Sequence, residues 1–192
     1  TWALVLAAGD GSRLSSLTTD RQGVSVPKQF CSLDGGASLL GLALARAARV
    51  VPRTRITSVV ASKHRQWWHG RLSVLPTGNI IEQPENRGTA VGVLLPLLFL
   101  LERDPGARIL FLPSDHFVGD EAVMAKVMKR ATEAIDHASH TLYLLGITPD
   151  EPDSEFGWIV PGEQDEPDEP DAPSVYTVDR FVEKPPASIA AE

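Results

Sequence analysis

Short, continuous apolar runs recur along the chain and are separated by longer segments in which apolar and polar residues mix. Each run lacks polar alternation and ends at glycine, proline or charged residues, a pattern that predicts buried strands. These strands are predicted at 2–8, 56–61, 79–82, 108–112 and 141–147, with two more at 156–160 and 176–182. Helices are predicted at 38–51, 63–72, 88–101 and from 115 or 120 to 136. The alternation indicates an α/β protein with a mainly parallel sheet in three layers, covered by helices on both faces.

Local signals refine the predicted helices. Ser38 is a suitable N-cap for the first helix, whose solvent-facing side is predicted to carry Arg46. The adjacent Trp67 and Trp68 point about 100° apart on a helix, so at most one of them faces fully inward. Both are interpreted as packing residues.

The composition is that of a globular protein. With 192 residues, 43% of them hydrophobic, the chain is long enough for one domain with a sizeable core. The longest apolar run, 90–101, falls short of the roughly 20 residues that a membrane span requires. Residues 2–8 are too few for the core of a signal peptide. The single cysteine, Cys31, excludes a disulfide framework and favours a reducing, cytoplasmic location.

The net charge of -7 originates in one acidic segment. Ten acids and no base lie between 150 and 171, and without them the chain has 15 acids against 18 bases. Residues 163–173 are interpreted as a solvated acidic loop. The mildly basic remainder is compatible with an anionic small ligand, and no Lys/Arg stripe points to long nucleic acid.

A glycine-rich loop directly follows the first predicted strand. Gly9 and Gly11 allow a tight turn in which backbone N–H groups approach a ligand, and Arg13 offers a fork of donors suited to phosphate. No Gly-Lys-Ser/Thr closes a P-loop here, and Leu14 stands where a dinucleotide fingerprint has its third glycine. The loop therefore predicts either a site for an anion with several phosphates or a simple strand–loop turn with a surface arginine.

Two further residues are candidates for the same anion. Lys28 follows Pro27, which fixes the backbone, and is either a second cation for phosphate or a solvated lysine. Asp115 follows the strand at 108–112, at the end where α/β sheets bind ligands. Its carboxylate is predicted to hold Mg²⁺, although Asp115 or Asp120 alternatively caps the next helix.

Polar residues at other strand ends are candidates for the remaining contacts. Gln83 has the amide donor and acceptor needed to read a nucleobase, and Gly88 and Thr89 begin a helix whose free N–H groups favour a polar ligand. The alternative is an ordinary strand-to-helix loop capped by Thr89. Glu183 can accept sugar hydroxyls and Lys184 can meet a phosphate, unless they form a merely charged strand end.

Five stretches in order closely resemble the motifs of the sugar-1-phosphate nucleotidyltransferases, namely LAAGDGSRL, PKQF, QPENRGTA, PSDH, and FGW followed by FVEKP. PKQF and PSDH are most similar to the mannose-1-phosphate guanylyltransferase branch. The resemblance implies a Rossmann-like, GT-A-like nucleotidyltransferase fold, with 1–192 forming the N-terminal part of one catalytic domain. The family continues with further sheet and a second Mg²⁺-binding Asp, so the resemblance implies a chain truncated at its C-terminus.

The resemblance also implies a role for each matched residue. Arg13, Lys28 and Asp115 would be catalytic, with Mg²⁺ on Asp115. Gly157, Glu183 and Lys184 would bind the sugar phosphate. The nucleotide would be bound by Ala8, Gly9, Gly11, Ser12, Arg13, Gln83, Gly88 and Thr89.

The implied reaction transfers a nucleoside monophosphate from GTP to mannose 1-phosphate, in GDP-mannose biosynthesis, with small-molecule substrates and no membrane or long nucleic acid as partners. The guanylyltransferases often carry Arg-Asn-Thr where this chain has Arg87-Gly88-Thr89. Another triphosphate or sugar therefore stays an alternative, as does a catalytically silent sugar-nucleotide-binding regulator. A glycosyltransferase would normally show Asp-x-Asp at a strand end, which the acidic loop does not provide. Assembly of identical chains is left open.

Overall fold

The computed structural model describes residues 1–10, 18–19, 23–137, 141–164 and 174–191. The chain divides into two compact units, Thr1–Ala125 and Lys126–Glu192. That the whole chain is part of one catalytic domain stays a prediction. In the described part of the chain, no helix is long and apolar enough to cross a membrane.

The first unit is built on a four-stranded parallel sheet with strand order β3-β2-β1-β4. The strands are β1 (Trp2–Ala7), β2 (Ile56–Ala61), β3 (Ile80–Gln83) and β4 (Ile109–Pro113). All four were expected from the apolar runs, and the structure confirms them with small shifts at their ends. β2 is buried along its whole length, and β1 along nearly all of it, as expected for central strands of a sheet covered on both faces.

The helices of this unit connect the strands so that the strand order reverses direction within the sheet. They are α1 (Leu39–Ala47), α2 (Arg65–Trp68), α3 (Gly88–Arg103) and α4 (Glu121–His137), of which α4 continues into the second unit. The chain moves outward from β1 through β2 to β3, then returns across the sheet to β4. Because such crossovers are right-handed, the reversal puts α1 and α3 on opposite faces. It also makes the carboxyl ends of β1 and β4 a topological switch point, where open α/β sheets bind ligands.

Helix α1 shows one correction to the sequence analysis. Its predicted N-cap is confirmed, since Ser38 Oγ accepts a hydrogen bond from the Gly41 N–H at 3.2 Å. Arg46, predicted to face solvent, is instead only 2% exposed. Its Nε and Nη2 donate to the Glu121 carboxylate at 2.8 to 3.2 Å. A guanidinium can be buried when a carboxylate pairs with it, and that partner lies 75 residues away in sequence.

The helix predicted at 63–72 is also corrected. Only α2 is α-helical there, with a 3₁₀ turn on each side. Gly70, a poor helix former, separates α2 from the second of these turns. Trp68 is buried and donates its Nε1–H to the Ala61 carbonyl at 2.9 Å, whereas Trp67 is half-buried and stacks on Phe30. The prediction that only one tryptophan faces fully inward is confirmed.

The second unit contains an antiparallel pair, β5 (Gly157–Gln164) and β6 (Tyr176–Glu183), followed by the short helix α5 (Ala187–Ala190). Both strands were predicted. The strand predicted at 141–147 does not form, and Leu142 and Ile147 are 91% and 74% exposed. Apolar residues form a strand only where a neighbour accepts their backbone hydrogen bonds, and no described strand pairs with this segment.

Burial of His64 predicts a pH dependence of stability. The ring makes edge contacts with the stacked rings of Phe30 and Trp67, with centroids 6.0 and 5.7 Å away. Burial lowers the pKa of His64 from 6.5, assisted by the Lys63 charge and opposed by Asp10. The unfolded chain therefore takes up the proton first, and the free energy of unfolding decreases as the pH falls below about 6.5. We expect His64→Phe to remove this decrease, as measured by urea unfolding between about pH 7.5 and 5.

The control for this experiment is His69→Phe, at an exposed position in the same turn region. It should keep the wild-type dependence of the unfolding free energy on pH. An unchanged dependence in His64→Phe would contradict the assignment to His64.

Candidate functional site

Two buried side chains fix the carboxyl end of β1. Ser114, which follows β4, donates both its N–H and its Oγ–H to the Leu6 carbonyl, at 3.2 and 2.6 Å. Gln29, from the 3₁₀ turn Lys28–Phe30, donates its Nε2–H groups to the carbonyls of Ala7 and Gly9, at 3.1 and 2.8 Å. Both residues are at most 3% exposed. The last carbonyls of β1 therefore hold the segments on either side of the switch point.

This arrangement brings Lys28 and Asp115 together. Lys28 immediately precedes Gln29 and Asp115 immediately follows Ser114, so each side chain projects from a fixed backbone. Lys28 Nζ lies 3.6 Å from Asp115 Oδ2, and the two side chains are 33% and 43% exposed. A lysine and a carboxylate that are both accessible to solvent can bind, respectively, phosphate and a cation.

Asp115 is not the cap of the following helix. Asp120 has that role, since its Oδ1 accepts hydrogen bonds from the N–H groups of Ala122 and Val123, at 2.9 and 3.0 Å. On the other side of Asp115, the buried Arg46 donates from Nη2 to the His116 carbonyl at 3.4 Å. The loop that carries Asp115 is thus held on both sides, and its partly exposed carboxylate lies beside Lys28 and 3.9 Å from His116 Nε2.

The glycine loop begins beside this pair. Asp10 forms an ion pair with Lys63, in which Lys63 Nζ lies 2.7 Å from Asp10 Oδ1. The pKa of Asp10 is lowered, chiefly by this hydrogen bond with Lys63 and further by one from the Asn86 side chain, against the opposing effect of burial. The remaining loop residues Gly11, Ser12 and Arg13 lie outside the described residues, while Ala8 and Gly9 lie at the end of β1.

Gln83 lies at the corresponding end of β3. Its side chain is 3% exposed, and its Nε2 has no hydrogen-bond partner among the described residues. The Ser62 hydroxyl holds its backbone carbonyl at 3.1 Å. A cavity of about 360 Å³ opens here, lined by Gln83, Pro84, Glu85, Arg87, Val91 and Leu95. A buried amide donor without a partner is costly, and a ligand acceptor in this cavity would satisfy it.

Helix α3 begins at Gly88, as predicted, but the suggested Thr89 cap is wrong. Thr89 lies inside the first turn and does not cap the helix. Instead, Asn86 Oδ1 accepts a hydrogen bond from the Gly88 N–H at 3.0 Å, in a tight turn in which Gly88 has φ +84°. This left-handed conformation suits glycine, and the turn exposes the helix N-terminus beside the Gln83 cavity.

In the second unit, Gly157, Glu183 and Lys184 form one cluster. Gly157 pairs with Glu183 in the β5–β6 ladder, and a β-carbon at Gly157 would lie 3.0 Å from Glu183 Oε2 and 2.5 Å from Phe181 Cζ. Lys184 Nζ lies 3.8 Å from Glu183 Oε1. Lys184 also has φ 46°, a strained conformation for a residue with a side chain, while its N–H donates to the Phe156 carbonyl.

The residues present fit a metal that is shared with a ligand. Among the described residues, no group of three or more His, Cys, Asp or Glu side chains is arranged to hold a metal ion. Asp115 supplies one accessible carboxylate. Mg²⁺ in nucleotide sites is bound by one or two carboxylates together with substrate phosphates and water, so Asp115 is a sufficient donor for a jointly held ion.

Sequence reasoning missed Gln29, Ser114 and Arg46 as residues that build this site. Gln29 and Ser114 lie inside the PKQF and PSDH stretches, next to the charged residues that carry the more obvious chemistry. The sequence does contain a signal for Ser114, since a serine at the end of a buried strand commonly donates a hydrogen bond to a backbone carbonyl. No local signal identifies the partner of Arg46.

Comparisons with known proteins agree on one family. A family model described as Nucleotidyl transferase matches residues 2–191. A mannose-1-phosphate guanylyltransferase of Salmonella montevideo is 32% identical over 184 residues, which are 95% of this chain and 37% of that protein. The xanthan biosynthesis protein XanB of Xanthomonas campestris pv. campestris is 30% identical over 191 residues, 97% of this chain and 37% of that protein.

Among solved structures, a Thermus thermophilus protein described as mannose-1-phosphate geranyltransferase matches with a TM-score of 0.74 and 30% identity. The match covers 99% of this chain and 52% of that one. This chain therefore spans about half of that structure and 37% of the length of the two curated relatives.

The contacts of Gln29 predict a stability effect. Gln29→Leu keeps the volume but leaves the Ala7 and Gly9 carbonyls without their donor, which should lower the free energy of unfolding by about 1–3 kcal/mol. Urea unfolding measures this loss. Gln66→Leu, at an exposed position of α2, is the control and should change stability by less than about 0.5 kcal/mol. Equal stabilities of the two variants would contradict the anchoring role.

The backbone of Lys184 predicts a second effect. Lys184→Gly and Lys184→Ala both remove the amine, so their comparison isolates the cost of the positive φ. The left-handed conformation costs a residue with a β-carbon about 1–2 kcal/mol, partly offset by the flexibility of glycine in the unfolded chain. We expect Lys184→Gly to be more stable than Lys184→Ala by about 1 kcal/mol in urea unfolding. A glycine variant that is no more stable than the alanine variant would show that the conformation is not strained.

Proposed function

Because the chain belongs to the nucleotidyl transferase family, we propose that the protein transfers a nucleoside monophosphate from a nucleoside triphosphate to a sugar 1-phosphate. Pyrophosphate is released and a nucleotide sugar is formed. The observation that carries this proposal is the Lys28–Asp115 pair at the switch point, 3.6 Å apart and accessible to solvent. It combines a cation for phosphate with a carboxylate for a metal at the edge where this fold binds ligands.

The nucleotide part of the proposed site lies at the ends of β1 and β3. The N–H groups of the glycine loop, from Ala8 through Gly9, Gly11 and Ser12, and the side chains of Arg13 and Lys28 bind the triphosphate. The orphaned amide of Gln83 reads the base in the adjoining cavity, and Gly88 and Thr89, which follow the lining residue Arg87 in the chain, complete the proposed base site. Asp115 would hold Mg²⁺, with the phosphates as the remaining anionic ligands.

The reaction needs positioning and charge neutralisation more than proton transfer. An oxygen of the already ionised sugar 1-phosphate attacks the α-phosphorus, a new P–O bond forms, and the bond to the β-phosphate bridging oxygen breaks. Arg13 and Lys28 neutralise the departing pyrophosphate. Bound Mg²⁺ supplies charge compensation that lets the two anionic reactants approach. Glu183 accepts hydrogen bonds from sugar hydroxyls, Lys184 binds the sugar phosphate, and Gly157 contacts the sugar.

For the substrates we propose GTP and mannose 1-phosphate, hence GDP-mannose formation in the cytoplasm. The support is the name of the Salmonella montevideo relative and the match to PKQF and PSDH. Gly88 stands in the turn proposed to bind the base, where the guanylyltransferases often carry Asn. The identity of the base is therefore the least constrained of these substrate assignments. An assembly of identical chains stays open.

A matrix of triphosphates against sugar 1-phosphates, read by pyrophosphate release from the whole protein with Mg²⁺, tests this proposal. GTP with mannose 1-phosphate should give the highest kcat/KM. A different best pair would correct the substrates and leave the reaction class standing. No release from any combination would contradict catalysis and favour a sugar-nucleotide-binding regulator.

Variants in the same assay test the assigned residues. Arg13→Ala, Lys28→Met and Asp115→Asn should each lower kcat/KM by about 100-fold or more, the usual size of a lost electrostatic contact in a transition state. Lys129→Met, at an exposed position of α4, is the control and should keep wild-type kinetics. Near-wild-type kinetics in a folded Lys28 or Asp115 variant would remove that residue from the mechanism.

A further inference from the structure

The glycine loop contains an acid at an unexpected place. Asp10 directly follows Gly9, where the proposed function puts the phosphates of the nucleotide. Its carboxylate is ion-paired with Lys63 at 2.7 Å, and their side chains are 41% and 55% exposed. A carboxylate in a loop that binds a triphosphate would repel it unless the negative charge is compensated.

The register of the sheet places Asp10 and Lys63 next to each other. β1 and β2 are parallel neighbours, and Ala7 is in register with Val60. Asp10 and Lys63 each lie three residues beyond this register pair, so both chain segments deliver them to the same edge. The Asn86 side chain further lowers the pKa of Asp10, and its Oδ1 accepts a hydrogen bond from the Gly88 N–H. The carboxylate is thus paired with Lys63 and stabilised from the loop that follows β3.

Asp10 keeps its negative charge at the near-neutral pH at which the enzyme would work. Its pKa lies below the ordinary value, because the ionised form is the one that Lys63 and Asn86 stabilise. Proton uptake therefore does not remove the repulsion near neutral pH. Among the described residues, Lys63 contributes most to cancelling this charge, with a smaller contribution from His64, and the Lys63 Nζ is already paired with Asp10.

We propose that Lys63 is a positioning residue that neutralises Asp10 and so permits the glycine loop to accept polyphosphate, without binding the phosphates itself. The proposal rests on the proposed function of the loop. It gives a signature that a direct phosphate ligand would not give: the loss caused by removing Lys63 should be reversed by also removing the charge of Asp10.

The test is a double-variant cycle on binding of inorganic tripolyphosphate with Mg²⁺ to the whole protein, measured by titration calorimetry. Lys63→Met should weaken binding by about tenfold, the scale of one uncompensated charge at short range. Asp10→Asn keeps the shape and an oxygen for Asn86, and should bind no more weakly than wild type. Asp10→Asn with Lys63→Met should return to within about twofold of wild type.

Arg65→Met is the matched control, because it removes one positive charge of similar exposure that is paired with Glu82 at 3.0 Å. It should leave tripolyphosphate binding unchanged within about twofold. Circular dichroism and thermal unfolding establish that all variants are folded.

Two outcomes overturn the inference while wild-type binding stands. If the double variant binds as weakly as Lys63→Met, Lys63 contacts phosphate directly. If Lys63→Met binds like wild type, the pair has no bearing on the ligand. A folded wild-type protein that binds no tripolyphosphate overturns the proposed function together with the inference, and is distinguished from the other two outcomes by the wild-type measurement alone.

Discussion

The site depends on hydrogen bonds that the last carbonyls of β1 accept from side chains of other segments. Ser114 bonds the Leu6 carbonyl, and Gln29 bonds those of Ala7 and Gly9. A parallel strand that ends inside a buried sheet leaves carbonyls that must find donors. Here the donors come from the two segments that carry the candidate functional groups, so the same bonds that satisfy the strand end also position Lys28 and Asp115.

Charge pairing is the second organising feature of this edge of the sheet. Asp115 lies beside Lys28, and Asp10 lies beside Lys63. The two pairs differ in what a polyphosphate and a cation can do to them. The first can separate, with the lysine turning to phosphate and the carboxylate to the metal. The Asp10–Lys63 pair is proposed to stay intact, because no metal is assigned to the Asp10 carboxylate. In the proposed function the same residue types thus serve ligand binding in one pair and, by our inference, loop neutrality in the other.

Much of the first unit could be predicted from the sequence, because its signals are local. An apolar run ending at Gly9 predicts a buried strand and a loop, and Ser38 predicts a helix start. The failures involve partners distant in sequence. Arg46 is buried because Glu121 reaches it, and the apolar segment 141–147 stays exposed because no described strand pairs with it. The proximity of Lys28 and Asp115 likewise follows from strand order, which apolar periodicity does not encode.

In the proposed function, the ends of β1 and β4 form a metal–triphosphate site between Lys28 and Asp115. A crystal structure of the whole protein with a non-hydrolysable nucleoside triphosphate and Mn²⁺ in place of Mg²⁺ would show this site, because the anomalous signal locates the metal. We expect a Mn²⁺ peak at coordination distance from the Asp115 carboxylate, with Lys28 Nζ turned to a phosphate oxygen. A metal and triphosphate bound at another edge of the sheet, with the Lys28–Asp115 pair undisturbed, would contradict it.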